Sequence, residues 1–264
     1  MSKTSINTIK STHLKQSKRL QKINQMVTLQ YSHIWDCCCD HGLLGFSLLS
    51  RDTTTRVRNT IHFVDIVPAL MVELETKLTR FYTNLPWKTH CIDVEKLPLE
   101  QYTGKNLIII AGVGGDLMMQ FIEAIYNKNK NLSNSLPIDF LLCPVHHQYP
   151  LRQKLIELNF SLKDETLIED NNRFYEILLV SSTHEDDTKI NPVGDKIWQS
   201  NSNEQAIIAG KYLSKTINHY QRMQQGFQQR NNKISTQSTL NQSKKNTKSN
   251  DVQHIIEAYQ AITL

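Results

Sequence analysis

No apolar run in this sequence approaches the roughly 20 residues that a membrane-spanning helix requires; the longest candidates are residues 107–113 and the stretch around 140–145. A helical membrane protein is thereby excluded, and no membrane partner is expected. Residues 1–10 have no apolar core of the kind a secretory signal carries, because Ser, Thr, Asn and Lys interrupt them throughout, so a cytoplasmic chain is expected. Cysteine is scarce and oddly placed: there are five, three of them consecutive at Cys37, Cys38 and Cys39, which cannot supply a regular disulfide framework for 264 residues. A reducing compartment suits them. Neighbouring side chains in a strand point to opposite faces, so the triplet cannot offer three thiolates to one ion, and no metal is expected. The thiols read as small buried hydrophobes.

Acids are absent from the first thirty positions, where Lys3, Lys10, Lys15, Lys18, Arg19 and Lys22 give +6. Residues 189–264 carry a further +6, so the total of +5 leaves −7 for the body between them. Basic ends on an acidic body predict a polyanionic partner held by the ends, with RNA the first candidate and Lys15, Lys18, Arg19, Lys211, Lys215 and Arg222 facing its phosphates. Solvated lysine-rich helices account equally for the counts. Nothing in the pattern demands self-association, and a monomer is expected.

A length of 264 residues with 39% hydrophobic content allows one domain with an ordinary core or two small ones. Thr12 can cap a helix running to about Val27, with Leu20, Ile23 and Val27 on its apolar face. From His33 the rhythm becomes that of βαβ units. Strands are predicted at 33–38, 59–64, 89–92, 107–111, 140–144 and 175–180, with a further candidate at 161–168, and helices at 43–50, 68–81, 115–126 and 150–158. After a polar junction at 194–203, Ala206, Leu213, Ile217, Tyr220, Phe227 and Ile234 recur at steps of three, four or seven, and Val252, Ile255, Tyr259 and Ile262 supply a returning helix. The expected organisation is a basic N-terminal helix over 1–30, a Rossmann-like, doubly wound α/β domain over 31–188, and a coiled-coil-like helical hairpin over 203–264. Residues 235–250 hold one apolar side chain, Leu240, and are expected to form a mobile loop.

The first strand ends in Asp36-Cys37-Cys38-Cys39-Asp40-His41-Gly42, without the GxGxxG that a pyrophosphate would demand. Cys38 and Gly42 are small enough for one close pass of a ligand. Asp65 ends the second strand and Asp93 follows the third, where carboxylates can accept from ribose hydroxyls and from an adenine amino group. Each acid taken singly also reads as a helix cap. Three acids at the carboxyl ends of successive strands together favour a nucleoside-bearing cofactor. The fourth strand breaks into Ala111-Gly112-Val113-Gly114-Gly115, where the backbone can approach a reacting centre, or simply turn tightly for packing. His146 and His147 follow the fifth strand on the same rim; His146 is a candidate for positioning a substrate, and His147 reads as an exposed loop residue.

These motifs resemble the bacterial tRNA (adenine-22-N1) methyltransferase family. The resemblance runs in order and spacing from Ser17-Lys18-Arg19-Leu20, through Asp36-x-x-x-Asp40-His41 and Ala111–Gly115, to Phe174-Tyr175-Glu176-Ile177-Leu178. It implies a methyltransferase using S-adenosylmethionine to modify N1 of an adenine in the D-arm of tRNA. It further implies that the cofactor is held by Asp36, Cys38, Asp40, His41, Asp65, Ile66, Asp93, Val94, Ala111 and Gly112, and that Gly112, Val113, Gly114, Gly115 and His146 position the reacting groups. Two departures stand out: Cys38 replaces a small residue of the first loop, and Cys143-Pro144-Val145 replaces the family's Gln-Pro-Asn. A methyltransferase acting on another RNA position or on a protein, and a catalytically silent RNA-binding relative, are the alternatives.

Overall fold

The computed structural model describes residues 17–51, 59–132, 137–183, 188–233 and 251–264, with side chains described as far as 229 in the fourth segment. Thr12, Lys15, Ile234 and the expected loop at 235–250 lie outside the described residues. Seven strands form one sheet in the order β3-β2-β1-β4-β5-β7-β6. The strands are β1 (His33–Cys37), β2 (Thr60–Asp65), β3 (Trp87–Cys91), β4 (Asn106–Ala111), β5 (Ile138–Cys143), β6 (Ser161–Asp170) and β7 (Arg173–Ser181). The first five are parallel, while β7 runs antiparallel to both β5 and β6. The chain winds outward from β1 to β3 and then returns to pass from β4 to β5, so the switch point lies between β1 and β4. This is the predicted doubly wound sheet, and the candidate strand at 161–168 is β6, two residues longer than expected.

Both faces of the sheet are buried because helices cover both. Ile108 and Ile110 of β4 point to one core, with Met118, Ile122 and Ile125 of α4 (Gly115–Lys130) and Leu151 and Leu155 of α5 (Gln148–Glu157). Leu107 and Ile109 point to the other, with Leu44 and Leu48 of α2 (Leu43–Leu49) and Leu74 and Leu78 of α3 (Pro68–Phe81). A strand buried on both sides reads as a continuous apolar run, as Leu107–Ala111 does. The N-terminal helix α1 (Lys18–Met26) joins the second core through Ile23, Met26 and Val27. Its cap is Ser17, whose hydroxyl accepts from the Leu20 amide at 3.2 Å.

Helix α6 (Asn203–Lys233) and the helix over 251–260, α7, run antiparallel. Tyr220 stacks on Tyr259 at 6.0 Å, Gln224 donates to Gln253 at 2.6 Å, and a Cβ on Gly210 would lie 3.6 Å from Leu264. The buried positions of α7 are Val252, Ile256 and Tyr259, so its seam passes through Ile256 more deeply than through the half-buried Ile255. The hairpin is fastened to the sheet by a buried charge. Arg152 of α5 is fully buried; its Nε donates to Glu176 of β7 at 2.8 Å, Nη1 donates to the Asn191 carbonyl at 3.2 Å, and Nη2 lies 2.7 Å from both Glu165 and Glu176. At Nη2 the contacts are ionic rather than well-aligned hydrogen bonds. Tyr212 of α6 donates to the other Glu176 oxygen at 2.6 Å.

At the opposite edge, three imidazoles cross three strands. His33 Nδ1 lies 3.0 Å from His62 Nε2, His62 Nδ1 lies 2.9 Å from His90 Nε2, and the Trp35 ring stacks on His62 at 3.8 Å. Burial, then the neighbouring charges of His90, His33 and Lys88, press the His62 pKa down to about 2.

Two predictions follow the packing. An unfolded histidine takes a proton near pH 6.5 while folded His62 refuses it, so stability is present above that pH and declines below it by about 1.4 kcal/mol per pH unit for this group. Urea unfolding at several pH values should show His62→Leu flattening the acid slope by one proton; an unchanged slope would contradict the assignment. Arg152→Met should cost about 3–5 kcal/mol by leaving two carboxylates buried without their cation. A loss below about 1 kcal/mol in the same assay would mean the carboxylates find protons or water instead.

Candidate functional site

The predicted acids meet along the carboxyl ends of adjacent strands, but they differ in what each has left to offer. Asp36 is only 5% exposed and accepts from the Gly45 amide at 2.9 Å. Burial pushes its pKa up to about 7 against the pull of that amide, with the charge of Asp65 adding to the rise. Its neighbour Gly45 went unnoticed in the sequence, yet a Cβ there would run into the Phe63 ring, so only glycine lets α2 settle onto β2. Asp36 therefore shapes the loop from beneath instead of facing its opening. Gly42 also serves packing: at φ +70° it adopts the left-handed region, and a Cβ would lie 2.7 Å from Leu74. It is no open passage for a ligand.

Asp65 and Asp93 stand at the surface of the rim. Asp65 accepts from the Asp40 amide at 3.0 Å with one oxygen and from the Val67 amide at 3.1 Å with the other. Asp93 accepts from the Glu95 amide at 3.0 Å and caps a short 3-10 turn, so the capping reading holds for it as well. Asp40 and His41 are exposed beside Asp65, and Ile66 is 65% exposed next to it. Cys38 and Asp40 both hold positive φ, at 56° and 50°, which bends the β1 loop around the Asp65 carboxylate. Val94 departs from expectation: its side chain is 4% exposed and packs in the core under β4. The cysteine triplet is not continuous strand: β1 ends at Cys37 and the positive φ of Cys38 turns the chain, so Cys37 enters one core and Cys39 the other.

The turn after β4 is the most crowded part of the rim. Gly112 has φ +86° and donates to the Cys143 carbonyl at 3.2 Å; Gly115 donates to the His146 carbonyl at 3.0 Å. These bonds tie the glycine turn to the β5 loop. A Cβ on Gly114 would run into the exposed His146 ring, and one on Gly115 would lie 2.8 Å from the carbonyl oxygens of both His146 and His147. His147, at φ +61°, precedes α5 and places Nδ1 2.9 Å from Asp116. That contact was not anticipated, because nothing local in the sequence joins the start of α4 to a residue 31 positions further on.

The expected RNA-facing cations separate into two groups. Lys211, Lys215 and Arg222 are exposed on one face of α6 and line a groove of about 990 Å³ with Ser214 and Asn218. Lys211 lies 3.6 Å from Glu169, and Lys215 sits 5.3 Å above the Phe174 ring. Lys18 is exposed on α1. Arg19 instead turns inward: its guanidinium lies 5.0 Å over the Tyr175 ring and 3.6 Å from where a Gly112 Cβ would be. It belongs to the rim rather than to the outer basic surface.

A profile of the family described as Methyltransferase domain matches residues 16–178. No curated protein matches the sequence significantly. The structure resembles that of M. capricolum TrmK in complex with the natural cofactor product S-adenosyl-homocysteine, with a TM-score of 0.59, 15% identity, and coverage of 92% of this chain and 99% of that one. It also resembles the B. subtilis M1A22 tRNA methyltransferase TrmK, with a TM-score of 0.59, 20% identity, and coverage of 94% of this chain and 98% of that one. At these identities the likeness is one of fold.

The two adjacent glycines should respond differently to a methyl group. Gly114→Ala has only to push aside the tip of the His146 side chain, so thermal melting should fall by less than about 1 kcal/mol equivalent, while the His146 ring protons shift in the NMR spectrum. Gly115→Ala meets backbone oxygens and should cost about 1–3 kcal/mol. Equal losses at both positions would show that the turn is tight for packing alone.

Proposed function

This chain belongs to the methyltransferase-domain family, and from that premise we propose that it uses S-adenosylmethionine to methylate N1 of an adenine in the D-arm of tRNA, at position 22. The observation that carries the reading is the pairing of surface carboxylates at the ends of β2 and β3 with a glycine turn at the end of β4. The likeness to the two TrmK structures supports the choice of substrate, since it covers 92% and 94% of the chain and so extends into the helical hairpin.

The donor set fits the cofactor. Both Asp65 oxygens already accept one amide and keep a lone pair for a ribose hydroxyl. Asp93 keeps an oxygen for the adenine amino group, and exposed Ile66 offers apolar surface to the ring. Cys38, Asp40, His41, Ala111 and Gly112 complete the lining. Bound there, S-adenosylmethionine supplies a methyl group activated by its sulfonium. Adenine N1 carries its own lone pair, so the protein has to align and not to deprotonate, and no general base is assigned. The Gly112–Gly115 turn keeps side chains away from the reacting centre, while His146, lying over Gly114, is the polar group nearest to an incoming base. In this chain Cys143 is buried where the family carries Gln, which leaves base contact to the exposed Val145 and His146. An adenine in a stem hides N1 in its pair, so the base must be extruded to reach this rim. Lys18, Lys211, Lys215 and Arg222 are assigned to the surrounding phosphates. Five unpaired thiols suit the cytoplasm, and the protein is proposed to act there as a monomer.

The test is mass spectrometry of nucleosides from unmodified tRNA incubated with the protein and S-adenosylmethionine. One 1-methyladenosine per D-arm is expected; a different methylated nucleoside, or tRNA binding with no methylation, rejects the assignment. Asp65→Ala should weaken S-adenosylmethionine binding by about 1–3 kcal/mol in calorimetry, the scale of charge-assisted hydrogen bonds. Unchanged affinity in a folded variant would remove Asp65 from the site.

A further inference from the structure

We infer that His147, latched to Asp116, is a positioning residue for the target base: it holds the His146 ring across the glycine turn. The assignment rests on the methyl-transfer reading above. His147 stands just before α5, where Ser, Thr, Asp or Asn would ordinarily cap the helix, yet its side chain makes no capping bond. It also keeps φ at +61°, a region uncommon for any residue but glycine. The imidazole turns instead toward α4, with Nδ1 2.9 Å from a carboxylate oxygen of Asp116. Asp116 lies in the first turn of α4, where the helix dipole favours an acid whatever it touches. That preference explains the acid but not its histidine partner. The two side chains are 48% and 63% exposed, so their contact adds little to stability. An unusual backbone conformation kept together with a weakly stabilising contact points to a role other than folding.

That role is visible in what His147 touches next. Its ring meets the His146 ring edge to face, with centroids 4.4 Å apart and planes at 71°. Among the described residues no hydrogen-bond partner reaches either ring nitrogen of His146, so His147 and the Gly114 backbone fix its tilt. The Cε1 and Nε2 atoms of His146 occupy the space that a Gly114 side chain would fill, which lays the imidazole over the turn. Backbone bonds already tie the two loops, Gly115 donating to the His146 carbonyl and Val145 to the Val113 carbonyl, each at 3.0 Å. Those bonds fix where His146 starts, and the contact between Asp116 and His147 fixes where its ring ends. Helix α6 reaches the same corner: the half-buried His219 has its pKa lowered first by burial and then by the charges of Arg222 and His147, which sets His147 near the helix assigned to the RNA phosphates. Because adenine N1 needs alignment and no deprotonation, a misplaced base costs rate directly. The contacts proposed for the cofactor at Asp65 and Asp93, and for phosphates on α6, involve neither Asp116 nor His147. Losing the latch therefore shows in turnover and not in binding.

The experiment follows methyl transfer from S-adenosylmethionine to unmodified tRNA by the full chain and its variants, with histidine-labelled NMR spectra of the same proteins free of ligand. Asp116→Ala and His147→Ala should each lower kcat by about 10- to 100-fold. The KM for tRNA and the affinity for S-adenosylmethionine should change by less than about twofold. Asp116→Glu keeps the carboxylate and should recover part of the loss. In a His146→Ala background, His147→Ala should cost nothing further, because the ring it holds is gone. In the free protein, Asp116→Ala should shift the His146 ring resonances with little change in melting temperature. Unchanged kcat in Asp116→Ala or His147→Ala overturns the proposal, as does a full further loss from His147→Ala in the His146→Ala background. If the wild type transfers no methyl group to tRNA, the functional reading fails by itself, and the NMR comparison decides the positioning role: unmoved His146 resonances overturn it and shifted ones uphold it.

Discussion

One buried cation organises how the parts of this protein meet. Arg152 joins α5, β6, β7 and the 191 segment, and through Glu176 it reaches Tyr212 on α6. Taking three charges out of water is expensive, and here the compensation is dense: Glu165 also accepts the amides of Asp195 and Lys196 at 2.6 and 2.8 Å. Such a joint discriminates strongly between one docking and a shifted one, because sliding either partner by a residue would strand a charge. Helix α5 begins at Gln148, with His147 as its cap, directly after the β5 rim. Fixing Arg152 therefore fixes the angle at which the His146–His147 corner leaves the sheet, and the structural joint sets the geometry of the site five residues away.

This also recasts the Phe174–Leu178 motif. Phe174 packs toward Tyr212, Tyr175 carries Arg19, Glu176 holds Arg152, and Ile177 and Leu178 enter opposite cores. Five consecutive residues serve alternate faces of one strand, so the motif carries assembly and rim chemistry together.

Much of the architecture was legible because it is periodic. Continuous apolar runs such as Leu107–Ala111 announce strands buried on both faces, and the acids closing β2 and β3 and the glycines closing β4 mark the rim directly. The hairpin was legible for the same reason, its seam recurring at helical spacing through Tyr220 and Tyr259. What could not be read was long-range contact. Arg19 counts as one more basic residue in a basic segment until α1 is docked on the β6–β7 hairpin, 151 positions away. Gly45 looks like a weak helix residue until Phe63 is seen beneath it, and Val94 follows an acid that faces outward while itself facing in. Asp36 differs again: it lies within β1 and not in the loop, and its burial makes it a support for the turn through the Gly45 amide.

The imidazoles at the outer edge have a polarity of their own. His33 Nε2 lies 3.1 Å from the Thr103 carbonyl, which can only accept, so that nitrogen must carry the proton. The Nδ1 of His33 then accepts from His62 Nε2, and the Nδ1 of His62 accepts from His90 Nε2, which sets all three neutral rings in the same tautomer. The row is directional, with its hydrogens all pointing from the sheet edge toward β1, and the sole lone pair left over is at His90 Nδ1. A hydronium arriving at this edge thus has one place to land without breaking a bond, and the orientation of the buried His62 ring on β2 is dictated, through His33, by a backbone oxygen beyond β1.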